Sequence, residues 1–262
     1  MTAFIARVVL ASAALSLLAA CGDGPLTTGP VRTETRQVGE FDSIDIDGAT
    51  RLHITVGVPA SLQVEGRDPF LERLQTEVHG DTLQIKVRRK DWVAIGTSPR
   101  PIVRVGVPSL EKLEVQGGND VRVTGFDGGD VRIRLEGATN LVAAGRLDEL
   151  KILMAGAGHA DLGDLVTRDA DVTVAGVGSI VVHPTEALDA TMNGVGAIFY
   201  TGSPSRVNTR MNGLGTIGQR NANDVRREHR QEKAPVDPDS LQPEYDRDEP
   251  VEQEEKKLTG VI

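Results

Sequence analysis

A glycine recurs at a nearly constant interval through the second half of this 262-residue chain, and this repeat limits the choice of fold more than any other feature. The successive intervals are 20, 19, 20, 18 and 19 residues. Such a repeat is too short for a pair of helices, but it is typical of a β-solenoid coil built from short strands and tight turns. The recurring glycines are Gly117, Gly137, Gly156, Gly176, Gly194 and Gly213.

Apolar and polar residues alternate on both sides of each recurring glycine. This alternation has a period of two, which places one set of side chains in a core and the other set in solvent. Because the same pattern returns at the glycine interval, we expect short strands stacked in register. The predicted core columns are Val115, Leu135, Met154, Val174, Met192 and Met211 before the glycine, and Val121, Leu141, Ala160, Ile180, Ile198 and Ile217 after it.

Each of the last four repeats contains the motif G-x-G. Glycine takes positive φ without steric cost, so we expect stacked sharp turns at one corner of the coil. In the first two repeats Asn119 and Asn140 stand nearby, and Asn also tolerates left-handed backbone. A dinucleotide-binding loop needs G-x-G-x-x-G between a strand and a helix, and no helical periodicity follows these glycines. The second glycines are Gly158, Gly178, Gly196 and Gly215.

The N-terminus has the pattern of an export signal. After Arg7, an apolar run extends from Val8 to Ala20 and is too short for a membrane span. It ends in Leu-Ala-Ala-Cys21-Gly, which resembles the lipobox of bacterial lipoproteins, and Cys21 is the single cysteine of the chain. We predict a lipoprotein signal peptide over residues 1–20, lipidation of Cys21, and a tether over residues 21–31. The alternative is ordinary signal cleavage that leaves Cys21 as a free thiol.

The folded domain is predicted over residues 32–219. Residues 38–109 contain alternating segments without the regular interval, as expected for an atypical first end of a solenoid, and Asp68 is expected to cap a short helical turn there. Residues 220–262 combine charged residues and prolines with few apolar side chains. Little burial would offset their ordering entropy, so we predict a disordered charged tail.

Composition and spacing argue against several functions. The net charge of -9 and the pI of about 5.1 argue against nucleic acid as a partner, because phosphate binding needs clustered basic residues. No residues stand at the spacing of a metal site, a cofactor site or a catalytic motif, so none is predicted. Asp161 with Asp164, and Asp171 with Asp189, are carboxylate pairs of the kind used in glycoside hydrolysis, but Asp is also common in turns and on solvated faces.

A column of basic residues stands five positions before the first three recurring glycines: Lys112, Arg132 and Lys151. Stacked on an exposed face, these side chains would form a ligand face for anionic glycans or lipid headgroups. The alternative is that they only keep exposed strands soluble.

The lipobox, the opening Arg36-Gln-Val-Gly-Glu-Phe-Asp-Ser-Ile44 and the G-x-G repeats resemble the head GIN domain, a family of putative auto-transporter adhesins. The resemblance spans about residues 31–219. It implies an all-β, right-handed parallel β-helix-like solenoid with rungs of about 18–20 residues. It brings no catalytic residues with it.

These observations together predict an envelope-anchored, non-enzymatic lipoprotein with an adhesin-like role. Its expected partners are a membrane, through the lipid anchor, and a surface glycan or an envelope protein. The residue directly after Cys21 is not Asp, which favours the outer membrane by analogy with other bacterial lipoproteins. Two alternatives stay open: a periplasmic structural or assembly module with a protein partner, and a polysaccharide-active enzyme on a β-solenoid.

Overall fold

The computed structural model describes residues 29–87 and 100–221, which form a nearly all-β fold with one short helix. The strands stack into a β-solenoid of about five turns, which confirms the predicted fold class. The predictions for the signal peptide, Cys21 and the charged tail lie outside the described residues. The elements are β1 (Val31–Arg36), β2 (Ser43–Gly48), β3 (Arg51–Val56), β4 (Ser61–Arg67), α1 (Asp68–Leu71), β5 (Leu74–His79), β6 (Thr82–Val87), β7 (Ile102–Val107), β8 (Lys112–Asp127), β9 (Asp130–Leu135), β10 (Ala138–Met154), β11 (Ala157–Val174), β12 (Val177–Met192), β13 (Val195–Tyr200), β14 (Arg206–Met211) and β15 (Leu214–Gln219).

Each regular coil has two strand-bearing faces that meet at a glycine corner. The segments that precede the recurring glycines stack to form the pre-glycine face, and the segments that follow them form the post-glycine face. Pairing between successive coils is parallel, and it links residues one repeat apart. For example, Asn140 is the partner of His159 on one face, and Lys151 is the partner of Asp171 on the other. The glycine interval in the sequence is therefore one coil of the solenoid.

The stacking order at the N-terminal end differs from the chain order. β2 lies between β6 and β8, and β3 lies between β7 and β8, with parallel pairing on both sides. The chain therefore forms β2 and β3, leaves the stack, and returns as β6 and β7 against one side of them before β8 adds to the other side. This is the irregular opening of the solenoid, and its stacking order is not apparent from the glycine interval.

Antiparallel strands cover that end of the stack. β5 pairs with β6, β4 pairs with β7, and β1 pairs with β4. The outermost strands have the polar sequences VRTETR in β1 and LQTEVH in β5. An uncovered sheet edge is a template for association with another chain, and charged edge strands oppose such pairing.

The predicted helical turn is present, but its boundaries differ from the prediction. Asp68 is the first helical residue of α1 and does not cap it, because Arg67 occupies the N-cap position without a side-chain hydrogen bond. Pro69 lies in the first turn of α1. The N–H groups of a first turn have no acceptor within the helix, so the missing N–H of proline costs no hydrogen bond there. The turn ends at Leu71, and β5 begins at Leu74. Among the described residues, no helix is long and apolar enough to cross a membrane.

The predicted apolar columns fill the interior of the solenoid in every coil but the last. Leu113, Leu135 and Val174 are fully buried, whereas Met211 in β14 is 44% exposed and Leu214 in β15 is 73% exposed. Among the described strands, β14 pairs only with β12 and β15 pairs only with β13. The last coil therefore has no described strand beyond it. Met211 and Leu214 meet solvent, whereas Ile217 is partly buried against the core.

Close approach of successive coils is the reason for glycine at the corner. A Cβ atom at Gly156 would lie 2.0 Å from the carbonyl oxygen of Gly137, and one at Gly176 would lie 1.8 Å from that of Gly156. The second glycines of the motif form a parallel column, in which a Cβ at Gly178 would lie 1.9 Å from the carbonyl oxygen of Gly158. These distances are far inside van der Waals contact, so a side chain at any of these positions would push two coils apart.

Positive φ explains only some of the corner glycines. Gly117 and Gly137 have φ of 97° and 86°, and the second glycines of the motif have φ between 147° and 154°. The expectation of positive φ is wrong at the first glycines of the four G-x-G motifs. At those four positions only the close approach of the neighbouring coil excludes a side chain. They are Gly156, Gly176, Gly194 and Gly213.

Asn119 has a buried structural role in the first regular coil. Its Oδ1 accepts hydrogen bonds from the backbone N–H and the hydroxyl of Thr50, both at 3.0 Å. Its Nδ2 donates to the carbonyl oxygens of Gly48 at 3.2 Å and Gln116 at 2.8 Å. One side-chain amide therefore ties the corner between β2 and β3 to the corner within β8.

Replacing Gly176 with Ala is expected to lower the free energy of unfolding by more than about 4 kcal/mol, because two coils must separate to admit the methyl group. The control is Gly118→Ala in the same corner, where the nearest atom to the new Cβ is 3.9 Å away. That change is expected to alter stability by less than about 0.5 kcal/mol. Chemical denaturation followed by circular dichroism measures both, and absence of folded Gly176→Ala protein counts as the expected loss. Equal stability of the two variants would contradict the role of close approach.

Replacing Asn119 with Ala is expected to cost about 2–3 kcal/mol of unfolding free energy, because buried backbone groups lose their hydrogen-bond partners. Asn140→Ala is the matched control, since the Asn140 side chain is exposed and, among the described residues, donates only to Asp120 Oδ1, at 3.2 Å. Its expected cost is below about 0.5 kcal/mol. Urea denaturation measures the free energy of unfolding of both variants. A larger decrease for Asn140→Ala than for Asn119→Ala would contradict the stabilising role of the buried amide.

Candidate ligand-binding faces

The predicted ligand face is assembled as a row on the pre-glycine face. Lys112 of β8 is the register partner of Arg132 of β9, and Arg132 is the partner of Lys151 of β10. All three residues are exposed. Since adjacent strands lie about 4.8 Å apart, the three side chains leave the surface side by side.

A shallow depression of about 420 Å³ lies beside this row. Leu153 and Thr173 line it together with the row, and Arg134 and Asp171 also contribute to its wall. The depression therefore combines an apolar and hydroxyl-bearing surface with charged side chains. This arrangement can contact both the ring and the charged substituents of a saccharide.

Ion pairs offset much of the positive charge in the row. Lys112 Nζ lies 3.0 Å from Glu114 Oε1, and Lys151 pairs with Glu149. Arg132 forms no ion pair with any residue that the structure describes. Exposed ion pairs contribute at most about 1 kcal/mol, so an incoming anion can displace these carboxylates. Such an anion would bind first to Arg132 and then compete with the glutamates for the two lysines.

Acidic side chains border the row on the β2 side. Asp45 of β2 is the register partner of Glu114. Burial raises the pKa of the Asp45 carboxyl, Glu114 and Asp47 raise it further, and Lys86 and Lys112 oppose this shift. Charges of both signs therefore surround Asp45 at this border of the row.

The two carboxylate pairs named from the sequence are placed differently. Asp171 and Asp189 are register partners on adjacent strands, and Asp189 Oδ1 accepts a hydrogen bond from Asn208 Nδ2 at 2.8 Å. Asp161 Oδ1 accepts a hydrogen bond from the backbone N–H of Gly163 at 3.1 Å, so it stabilises a local bend. Within residues 29–87 and 100–221, no group of three or more His, Cys, Asp or Glu side chains is arranged to hold a metal ion.

A second basic surface, which we call the arginine cluster, lies on the post-glycine face. It consists of Arg51 and His53 of β3, Arg104 of β7 and Arg122 of β8. Arg104, His53 and Arg122 are consecutive register partners across three parallel strands, and Arg51 lies two residues before His53 on the same face. Partial burial lowers the pKa of His53, and the charges of the three arginines lower it further. The imidazole therefore sits in a positive potential.

The arginine cluster is not predicted from the sequence, because the stacking order brings its members together. Arg104 reaches His53 only because β7 returns to the stack beside β3, out of chain order. Leu52 and Val121 are buried, and Arg51, His53 and Arg122 are their exposed neighbours in the alternating pattern. The missing information is which strands are neighbours at the irregular end of the solenoid.

Residues 40–204 match the family model described as putative auto-transporter adhesin, head GIN domain. This match covers well over half of the chain. The chain belongs to the head GIN domain family. Membership makes it an adhesin-like module and associates it with the cell surface or envelope.

Solved bacterial structures are similar to this head GIN domain protein. A putative adhesin from Bacteroides fragilis is 21% identical, with coverage of 74% of this chain and 98% of that one and a TM-score of 0.58, so it shares the fold. A putative lipid binding protein from Parabacteroides distasonis (22% identity, TM-score 0.42) and a putative adhesin from Parabacteroides merdae (17% identity, TM-score 0.47) have the same coverage. No curated protein matches the chain.

Proposed function

We propose that this chain is an envelope-anchored, non-enzymatic lipoprotein that acts as an adhesin by binding an anionic surface glycan. Lipidation of Cys21 would anchor it in the outer membrane, and the solenoid would present Lys112, Arg132 and Lys151 to the glycan. The observation that carries the proposal is the placement of these three side chains in one row, beside a depression of about 420 Å³.

The geometry supports a polymeric ligand better than a small one. The row advances by one strand spacing, about 4.8 Å, from each basic residue to the next. A polyanionic chain lying along the solenoid axis can therefore meet several cations in succession, each contributing weakly. Such binding depends on electrostatics between exposed groups, so it should weaken as salt screens the charges.

An envelope protein is the second candidate partner, in keeping with a periplasmic assembly role. Val207, Met211 and Leu214 in the last coil are 41%, 44% and 73% exposed, and exposed apolar side chains in one place favour protein contacts. The enzymatic alternative depends on Asp171 and Asp189. Incubation with a panel of glycans tests it directly, because an enzyme would release shorter products and a binding module would not.

Charge reversal of the row is expected to weaken binding to an anionic polysaccharide such as polygalacturonate. The triple variant Lys112→Glu, Arg132→Glu and Lys151→Glu should raise the dissociation constant at least about tenfold at low salt, with a smaller effect near 0.5 M salt. Arg210→Glu is the control, since Arg210 lies on the same face in the last coil, away from the depression. Surface plasmon resonance measures both. Undiminished binding by the triple variant would exclude the row as the glycan site.

Protease treatment of intact cells tests the proposed location. The tail over residues 220–262 is predicted to be disordered, and exposed disordered segments are cleaved first. If the protein faces outward, a C-terminal epitope should disappear from intact cells while a periplasmic marker survives. Survival of the epitope on intact cells, with loss only after lysis, would rule out surface adhesion and favour a periplasmic partner.

A further inference from the structure

We propose that the arginine cluster, formed by Arg51, His53, Arg104 and Arg122, is a binding site for a phosphoryl group. The cluster lies on the post-glycine face, whereas the row of Lys112, Arg132 and Lys151 lies on the pre-glycine face. Phosphoryl binding by the cluster is therefore independent of the proposed glycan binding by the row. The ligand chemistry is shared by free phosphate and by phospholipid headgroups, and the experiment below distinguishes these two sources.

Two arginines flank the imidazole of the cluster. Arg104, His53 and Arg122 occupy directly opposed positions on three neighbouring strands, about 4.8 Å apart. Burial and the neighbouring arginine charges lower the pKa of His53, because these charges repel the imidazolium. An anion held between the side chains would attract the arginines and the imidazolium alike.

Two guanidinium groups of the cluster are available for a ligand. Arg51 and Arg122 form no ion pair with any residue of the described chain. Arginine presents a planar set of donors that matches phosphate oxygens, often in two parallel hydrogen bonds. The cluster therefore has both the charge and the donor geometry that phosphate recognition uses.

Carboxylates near the cluster are already held by other partners. Glu65 of β4 lies 2.9 Å from Arg104 Nη1. Asp120 of β8, the register partner of Arg51, lies 2.8 Å from Arg100 Nη1 and accepts a hydrogen bond from Asn140. These two are the acidic groups that face the cluster from β4 and β8, and neither forms an ion pair with Arg51 or Arg122.

A depression of about 510 Å³ lies beside the cluster. His53 and Arg104 line it together with the hydroxyl-bearing residues Thr35, Thr55 and Ser61. Hydroxyl groups add neutral donors for phosphate oxygens that the arginines do not reach. The depression gives the headgroup attached to a phosphoryl group a place to lie.

The position of the site makes a lipid source physically accessible. Thr35 belongs to β1, the first described strand, so the depression lies at the end of the solenoid where the predicted tether enters. A tether over residues 21–31 spans at most roughly 35–40 Å when extended. If Cys21 is lipidated, headgroup phosphates are within reach of the cluster. Free phosphate needs no such anchor.

Binding should depend on pH through His53. The pKa of His53 is lowered in the free protein by partial burial and by Arg104, Arg122 and Arg51, and a bound anion favours the imidazolium. By linkage, anion affinity should increase as the pH falls through the lowered pKa of His53, and anion binding should raise that pKa. The other charged groups that face the cluster are the three arginines, which stay charged, Glu65, which is held by Arg104, and Asp120, which is held by Arg100.

The experiment is a titration of the full-length protein in a glycoside detergent, with the His53 ring protons followed by NMR. The probes are inorganic phosphate and glycerophosphoglycerol, the soluble headgroup of phosphatidylglycerol, each at constant ionic strength. The test variant is Arg51→Ser with Arg122→Ser, and the control is Arg210→Ser, an exposed arginine of the last coil that lies outside both basic surfaces. His53→Asn assigns the ring signals, and thermal unfolding verifies that all variants are folded.

Either probe is expected to raise the pKa of His53 in the unmodified protein and in Arg210→Ser. The double variant should bind the same probe at least about tenfold more weakly. Tighter binding of glycerophosphoglycerol identifies the lipid headgroup as the source, and tighter binding of inorganic phosphate identifies the free anion. The proposal is overturned if neither probe moves the His53 titration, or if the folded double variant binds as well as the control. Undiminished glycan binding by the triple charge-reversal variant, together with an intact phosphate response, would overturn only the proposed role of the row on the pre-glycine face.

Discussion

The contact between corner backbones of successive coils is the constraint on which the rest of this structure depends. Carbonyl oxygens of one coil lie where the Cβ atoms of the next would be, as at Gly156 and Gly176. Only glycine permits this approach, and it sets the register of every strand pair that follows. A one-residue slip would place a side chain in the corner and also turn the apolar columns outward. Register and core are therefore specified by the same residues.

A fixed register turns each outward column into a surface with predictable neighbours. Lys112, Arg132 and Lys151 stand side by side because they occupy equivalent positions of three coils. The same rule places Asp171 next to Lys151, so the column changes from basic to acidic within one strand spacing. Outward columns can change charge without disturbing the corner or the core. A solenoid of this kind can thus acquire a binding surface while its fold stays the same.

The repeat allowed the fold, the core columns and the basic row to be predicted, because each follows from equivalent positions in successive coils. The remaining features arise from contacts between segments that are distant in sequence. Asn119 bridges Gly48, Thr50 and Gln116, and nothing in its own repeat marks it as buried. Arg104 joins the arginine cluster only because β7 packs beside β3. The exposed last coil also departs from the pattern, since Met211 has the sequence of a core residue but no coil beyond it.

The two basic surfaces differ in how their charge is balanced, and this difference separates their expected ligands. In the row on the pre-glycine face, Lys112 and Lys151 each pair with a glutamate of the same strand, which leaves Arg132 as the main attraction. Weak attraction repeated along an axis suits an extended polyanion. In the arginine cluster, Arg51 and Arg122 converge with Arg104 on one imidazole whose pKa they lower. Converging positive charge suits a compact anion, because a single phosphoryl group can contact several donors at once.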